Sequence, residues 1–135
     1  MMRQLGFATI DLALHRDFDA GNDGHPADYA RKIAMEFDPA PLPEDYSMIT
    51  AFLHLFAGPV AYASGYYSYK WAEVLEADAF SRFKDEGIFS REVGDQFRRK
   101  VLEPGGSRDP MSLFTDFMGR EPELSALLTR SGFDA

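Results

Sequence analysis

Apolar residues recur along this chain at the spacing of helices, and no segment shows the alternation that is typical of a strand. Two apolar stripes run along residues 1–18: Leu5, Ala8 and Leu12 form the first, and Phe7, Ile10 and Leu14 form the second. Together they cover most of the circumference of a helix, which predicts burial on several sides. Because a chain terminus normally lies at a surface, this pattern is more typical of a helix inside a larger body.

Start and stop signals divide the rest of the chain into further helices. They predict helices over 27–37; over 63–84, the longest, followed by Gly87; from Ser90 as a cap to about Lys100; from Pro110 to Gly119; and a last one with Pro122 near its start and Gly132 as its cap. The expected core face of the longest helix is Tyr67, Trp71, Val74 or Leu75, Asp78 or Ala79, and Phe83. We therefore predict an all-α fold, an irregular multi-helix domain, with residues 1–135 as a single domain.

Composition narrows the possible partners more than it narrows the fold. The net charge of −8 over 135 residues argues against nucleic acid or an anionic membrane surface as a main partner. The sequence contains no cysteine, which excludes disulfides, thiolate metal sites and a cysteine nucleophile. Asp11, His15 and Arg16 interrupt the N-terminal apolar run, which is too short to span a bilayer and has no small-residue cleavage site. We expect a cytoplasmic protein without a membrane partner.

The common catalytic motifs do not occur in this sequence. Its three histidines, His15, His25 and His54, include no pair four residues apart, so there is no HExxH zinc motif. There is no G-x-S-x-G serine elbow, and Ser64 beside Gly65 is interpreted as a helix cap. No spacing among the 22 acidic residues singles out a metal cluster. We therefore assign no metal ligand in this chain.

The stretch HLFAGPVAYASGYYSYKWAEVL, which begins at His54, contains four tyrosines among eight consecutive residues. Tyr62, Tyr66 and Tyr69 follow the spacing i, i+4, i+7, so they share one face if a helix begins by residue 62. On such a helix Tyr67 lies about 100° from its neighbour and is expected to be a packing ring. The pattern predicts a face of three phenols.

A buried tyrosine hydroxyl needs a hydrogen-bond partner. Either the three hydroxyls bond carbonyl groups within the chain, or they face a ligand. A neutral phenol, with a pKa near about 10, is a good hydrogen-bond donor at pH 7 and can stabilise a developing oxyanion. The residues alone leave both possibilities open.

Around these tyrosines the sequence resembles the thimet oligopeptidase, oligopeptidase A and dipeptidyl carboxypeptidase family of zinc metallopeptidases. The stretch HLFAGPVAYASGYYSYKWAEVLEADAF looks like the family signature His…Gly-Tyr-x-Ala-Gly-Tyr-Tyr-x-Tyr-x-Trp. The segments RQLGFATIDLALHRDFD, FKDEGIF, LEPGGSRDP and FMGREPELSALL resemble other family segments. The resemblance covers essentially the whole chain and implies the C-terminal part of a larger, mostly helical peptidase.

The same resemblance implies roles for five residues. Tyr66 and Tyr69 match the pair that donates hydrogen bonds to the scissile carbonyl or the tetrahedral intermediate, so they are the catalytic candidates. His54, Gly58 and Tyr62 match groups that bind the substrate.

The loop before Tyr62 departs from the family pattern. The family has a Gly-Gly-Tyr loop, whereas Gly58 is followed here by Pro-Val-Ala, so the interval from His54 to Tyr62 is longer. The spacing of the tyrosines themselves is retained. The departure implies altered flexibility of this loop.

The family's HExxH helix and the glutamate that completes its zinc site correspond to nothing in this sequence. The resemblance therefore implies the substrate-binding part of a zinc oligopeptidase that hydrolyses short peptides through a zinc-bound water, inactive alone. Zinc is expected in the full-length enzyme and not in this chain. The implied partners are a short peptide substrate and the missing catalytic portion. A stand-alone helical module for peptide binding or assembly, derived from such a peptidase, and a helical domain without retained activity remain open as alternatives.

Overall fold

The structure, a computed structural model, describes residues 1–133. Within them it contains seven α-helices and no strand, which confirms the all-α prediction. The helices are α1 (Met2–Arg16), α2 (Pro26–Phe37), α3 (Leu53–Phe56), α4 (Ser68–Glu86), α5 (Arg91–Phe97), α6 (Pro110–Met118) and α7 (Ser125–Arg130). Short 3-10 turns lie at Met48–Ala51 and Gly105–Ser107, and a π-helical turn at Arg98–Leu102 continues α5. In this part of the chain, no helix has the length and apolar character that crossing a bilayer requires.

Local capping chemistry sets several helix ends where it was predicted. The Ser90 side chain accepts a hydrogen bond from a main-chain N–H at the start of α5. Asp109 accepts the N–H of Ser112 at 2.8 Å at the start of α6, where Pro110 occupies the first turn. Gly119 ends α6 at φ 76°, in the left-handed region that glycine adopts without steric cost.

The predicted start of the longest helix is wrong. Helix α4 begins at Ser68 rather than near residue 63. The backbone before it contains two left-handed residues, Ala61 at φ 22° and Ser64 at φ 55°. A right-handed helix cannot continue through such residues, so the first five positions of the predicted helix lie in a loop instead.

The predicted start of the last helix is also wrong. Helix α7 begins at Ser125 rather than near Pro122. The N–H of Glu123 donates to the side chain of Asp78 at 2.7 Å, which holds this segment in a non-helical path. Gly132, at φ 80°, follows the end of the helix as predicted.

The chain divides into two compact units, Met1–Lys70 and Trp71–Ala135. In the first unit, α1 packs against α2. The core of this unit consists of Phe7, Ile10, Ala30, Ala34, Ile49, Phe52, Leu55 and Tyr66. The rings of Phe7, Phe52 and Tyr66 meet pairwise, with centroids 4.9–5.7 Å apart, so the centre of this core is aromatic. The single domain expected for residues 1–135 stays a prediction.

Helix α1 buries one of its two apolar stripes. The stripe that contains Phe7 faces the core, whereas Leu5 and Leu12 are exposed, so burial on several sides does not hold within residues 1–133. A Cβ atom on Gly6 would lie 3.1 Å from Cβ of Phe37 in α2. Glycine at this position therefore allows the close approach of the two helices.

The second unit has an apolar core of its own. Its buried apolar residues are Val74, Ala77, Val93, Leu113, Phe114, Phe117 and Leu127. The rings of Phe83, Phe97 and Phe117 are in contact, with centroids 5.2–6.0 Å apart. These rings join α4, α5 and α6 through aromatic edges and faces.

The predicted core face of α4 is confirmed only in part. Val74 and Asp78 are buried, but Tyr67 and Trp71 are exposed. Tyr67 precedes the helix because α4 begins later than expected, and Trp71 lies in its first turn. The interpretation of Tyr67 as a packing ring is therefore wrong for the described residues.

Asp78 is the polar centre of the second unit, with only 1% of its surface exposed. Its two carboxylate oxygens accept hydrogen bonds from the Arg120 guanidinium at 2.7 and 2.6 Å. The same carboxylate accepts the N–H of Glu123 at 2.7 Å. The hydrogen bond from Arg120 is the main cause of a lowered Asp78 pKa, although burial acts in the opposite direction. This carboxylate fixes the segment between α6 and α7 against α4.

We predict that Asp78→Asn lowers the free energy of unfolding by about 1.5–3 kcal/mol at pH 7, because it removes the buried, charged acceptor of the hydrogen bonds from the half-buried Arg120 guanidinium. Since the pKa of Asp78 is lowered in the folded state, its contribution is present above about pH 4 and is lost as the pH falls through the folded pKa. Urea unfolding at neutral and acidic pH measures the difference between wild type and variant, which should narrow in acid.

The exposed pair Arg108–Asp116 provides a matched control in the same unit. Asp116→Asn should lower the free energy of unfolding by less than about 1 kcal/mol. Equal effects of the Asp78 and Asp116 variants at neutral pH would contradict the central role of Asp78.

Candidate functional site

The segment 57–67, here called the tyrosine loop, connects α3 to α4. The N–H of Gly65 donates to the carbonyl of Tyr62 at 2.8 Å, and a Cβ on this glycine would lie 3.0 Å from the same carbonyl oxygen. Glycine therefore favours this tight turn, since a larger residue would push the Tyr62 carbonyl away. Ala61 and Ser64 hold positive φ angles, a strained state for residues with side chains that often occurs at functional sites.

Four aromatic side chains meet around this loop, and we call them the His–Tyr cluster: His54 of α3, Tyr62 and Tyr66 of the tyrosine loop, and Tyr69 of α4. The ring of His54 lies 5.6 Å from that of Tyr62 and 6.1 Å from that of Tyr66. The rings of Tyr66 and Tyr69 are 5.0 Å apart. The structure thus brings together four of the five residues that the sequence nominated.

The path of the chain through the cluster differs from the predicted one. Tyr62 and Tyr66 precede α4, so they do not share a helical face with Tyr69. The bend of the tyrosine loop, rather than a helical repeat, places Tyr66 against Tyr69. The predicted helical face of three phenols is therefore wrong, and the three tyrosines are instead connected through the His54 ring and the Tyr66–Tyr69 contact.

The three phenols differ in exposure. Tyr66 is 8% exposed, whereas Tyr62 and Tyr69 are 53% and 46% exposed. Within residues 1–133, the hydroxyls of Tyr62 and Tyr69 make no hydrogen bond. These two groups can therefore reach a ligand directly, and Tyr66 lies at the base of the cluster.

Burial among apolar rings raises the pKa of the Tyr66 phenol above its ordinary value, and the neighbouring Tyr69 raises it further. The Gln4 side chain and the positive charge of Arg3 act in the opposite direction. The Tyr66 phenol is consequently neutral at pH 7, where it can donate a hydrogen bond.

The structure gives different support for a binding role at His54 and at Gly58. The Nε2 atom of His54 is buried and has no hydrogen-bond partner within residues 1–133. Because buried polar atoms are normally bonded, this nitrogen is an exception within these residues, as are Gln4 Oε1 and Arg31 Nε. A Cβ on Gly58 would meet Ala61 at 3.7 Å, an ordinary contact, so no close approach requires glycine there. The binding role of Gly58 stays a prediction.

Sequence reasoning missed Asp11, which it treated only as an interruption of an apolar run. Asp11 is 1% exposed, and its Oδ1 and Oδ2 atoms accept the N–H groups of Ser64 at 3.1 Å and Tyr66 at 2.8 Å. Nδ1 of His15, one turn later in α1, lies 2.9 Å from Oδ1. The signal in the sequence was a carboxylate on an apolar helix, because such a group is rarely buried without partners.

The described residues do not form a metal site. Within residues 1–133, no group of three or more His, Cys, Asp or Glu side chains is placed to hold a metal ion. Asp11 and His15 approach each other, but a protein zinc site has at least three protein ligands. This part of the chain therefore does not fit a zinc ion.

Known proteins similar to this chain define its class. The profile of peptidase family M3 matches residues 1–133. The chain is 46% identical over 132 residues to oligopeptidase A of Escherichia coli and 43% identical over 136 residues to probable cytosolic oligopeptidase A of Arabidopsis thaliana. It is 31% identical over 136 residues to dipeptidyl carboxypeptidase of Salmonella typhimurium. The chain belongs to peptidase family M3, which confirms the resemblance seen in its motifs.

The matches cover nearly all of this chain but only a small part of each relative. They cover 98%, 97% and 99% of this chain but only 19%, 19% and 20% of the three relatives. The chain thus spans about a fifth of the length of these relatives. The His–Tyr cluster is a candidate site within that fifth.

We predict that Tyr66 ionises above the ordinary tyrosine pKa of about 10, because its buried position disfavours the phenolate. An alkaline titration that follows the ζ-carbon NMR signals of labelled tyrosines measures the midpoint, and Tyr66→Phe identifies the signal. Since the pKa is raised in the folded state, the contribution of this phenol to stability is lost as the pH rises through the folded value. A midpoint at or below about 10 would contradict the buried environment.

Proposed function

We propose that this chain is the C-terminal substrate-binding part of a zinc metallo-oligopeptidase that hydrolyses short peptides. The observation that carries the proposal is the His–Tyr cluster in a chain of peptidase family M3, with two half-exposed phenols beside a buried one. In this proposal the chain is inactive alone, because the metal and its water belong to a part of the enzyme that the chain does not span.

Tyr66 and Tyr69 are the proposed catalytic residues. Their ring centroids lie 5.0 Å apart, and in this proposal both hydroxyls donate to one carbonyl oxygen of a bound peptide. When a nucleophile adds to this carbonyl, negative charge develops on the oxygen, and a phenol that donates a hydrogen bond stabilises it. The raised pKa of Tyr66 keeps its proton available for this bond at neutral pH.

His54, Gly58 and Tyr62 are the proposed substrate-binding residues. The unpartnered Nε2 of His54 and the half-exposed phenol of Tyr62 offer two polar groups next to Tyr66. A peptide main chain carries a donor and an acceptor at most residues, so it can bond the exposed Tyr62 phenol directly and reach the buried His54 nitrogen once the cluster opens. This arrangement supports recognition of the peptide backbone rather than of one particular side chain.

Zinc has no place in the chemistry assigned to this chain. The described residues do not fit the metal, so we assign it to the portion of the enzyme that is missing here. That portion is also the proposed protein partner. We further propose a cytoplasmic location, which is consistent with the name of the cytosolic relative from Arabidopsis thaliana.

In the complete enzyme, we predict that Tyr66→Phe and Tyr69→Phe each lower kcat by about 10²-fold with little change in zinc content, since each removes one hydrogen-bond donor from the transition state. Steady-state kinetics on a short peptide measure the effect, and metal analysis checks the zinc. Tyr67→Phe is the matched control, because Tyr67 is exposed and lies outside the His–Tyr cluster. An unchanged kcat in the Tyr66 or Tyr69 variant would reduce that tyrosine to a structural role.

The isolated chain should bind short peptides without cleaving them. Isothermal titration with a short peptide measures the affinity, and Tyr62→Phe should weaken it about 5-fold if one hydrogen bond of about 1 kcal/mol is lost. Absence of binding would favour a helical domain without retained activity. Cleavage by the isolated chain would contradict the assignment of the metal to the missing portion.

A further inference from the structure

We infer that Asp11 is a positioning residue that fixes the tyrosine loop so that the Tyr66 hydroxyl meets the bound peptide. The inference rests on the proposed function, because Asp11 acts through Tyr66 and does not itself touch the substrate. A buried carboxylate on α1 bonds the main chain of a loop that follows it by 53 and 55 positions in the sequence.

The carboxylate holds the loop at two points. Oδ1 accepts the N–H of Ser64, and Oδ2 accepts the N–H of Tyr66, the residues on either side of Gly65. Two bonds to alternate residues fix both the place and the direction of this short stretch. The backbone of Tyr66 is therefore tied to α1, and its ring enters the core beside Phe7.

The loop needs such a restraint because its backbone is strained. Ser64, one of the two donors, has φ 55°, and Ala61 has φ 22°. Left-handed residues with side chains persist only where surrounding contacts impose them. The bond from the Ser64 N–H to Asp11 is one such contact, and the buried position of the carboxylate strengthens it.

His15 holds the carboxylate in turn. Its Nδ1 atom lies 2.9 Å from Oδ1 of Asp11 and 2.8 Å from the Asp11 carbonyl oxygen. Its ring stacks on Phe56 at the end of α3, with centroids 5.3 Å apart and planes 15° apart. The orientation of the Asp11 side chain is thus set by packing as well as by hydrogen bonds.

The substitution Asp11→Asn isolates this function, because it keeps the shape of the side chain. A carboxylate offers two acceptor oxygens, whereas an amide offers one oxygen and one NH₂ group. The NH₂ group of asparagine would face either the Ser64 N–H or the Tyr66 N–H, so one of the two bonds must be lost. Asp17→Asn is the matched control, since Asp17 is exposed at the end of the same helix and pairs with Arg16.

In the complete enzyme, Asp11→Asn should lower kcat at least about 10-fold, while KM changes less than about 3-fold, because a displaced donor fails mainly in the transition state. Asp17→Asn should leave both constants unchanged. In a Tyr66→Phe background, Asp11→Asn should lower kcat less than about 3-fold, because the hydroxyl that Asp11 positions is already absent. An equal fall in both backgrounds would overturn the inference, since a loss of general stability does not depend on the Tyr66 hydroxyl.

Amide hydrogen exchange in the chain itself tests the contact without any activity. The N–H groups of Ser64 and Tyr66 are bonded to Asp11. These two amides should therefore exchange at least about 10-fold more slowly than those of Val60 and Ala61 in the same loop. Asp11→Asn should abolish this difference for at least one of them. If the variant does not fold, the wild-type measurement still decides, and fast exchange at both amides overturns the inference.

The two tests separate failure of the inference from failure of the proposed function. If Tyr66→Phe alone leaves kcat unchanged, the proposed role of Tyr66 fails, and the catalytic consequence assigned to Asp11 fails with it. If Tyr66→Phe lowers kcat but the amides of Ser64 and Tyr66 are unprotected, only the role of Asp11 is overturned.

Discussion

The buried carboxylate of Asp11 is the interaction on which the candidate site depends. Asp11 lies on α1, which packs against α2, and only 1% of the surface of Asp11 is exposed. A buried charge is tolerated only when donors surround it, and the main chain of the tyrosine loop supplies two of them. The loop therefore follows a path that brings two of its N–H groups to Asp11 of α1, and this path places Tyr66 in the core. Tyr69 then lies against Tyr66 at the start of α4.

The second unit also contains a buried carboxylate that accepts hydrogen bonds from a segment distant in sequence. Asp78 is as deeply buried as Asp11, and it receives a guanidinium and a main-chain N–H from the segment between α6 and α7. In both units one carboxylate on a helix directs a segment distant in sequence into a non-helical path. Each unit thus combines an apolar core, which supplies most of the driving force, with one charge that specifies where an irregular segment lies.

The three tyrosines of the candidate site differ in solvent exposure, and this difference sets their chemical character. Tyr66 is held in the aromatic core, whereas Tyr62 and Tyr69 are about half exposed to solvent. A phenol held in this way is neutral and well placed, and its exposed neighbours can adapt to a ligand. Two left-handed residues, Ala61 before Tyr62 and Ser64 before Tyr66, bend the tyrosine loop between α3 and α4.

The sequence by itself determined the all-α class, the peptidase family, and those helix ends that depend on local chemistry, such as the cap at Ser90, the start at Pro110 and the end at Gly119. It also nominated the tyrosines, because their spacing and composition are local features. Only the tertiary structure decided that α4 begins after Tyr66 and that Asp11 belongs to the candidate site. Helical periodicity reports contacts within a few residues, whereas the partner of the Tyr66 N–H lies 55 positions away in the chain. A hydrogen bond to a distant buried charge overrode the local preference for helix, and no pattern within a short window of sequence contains that information.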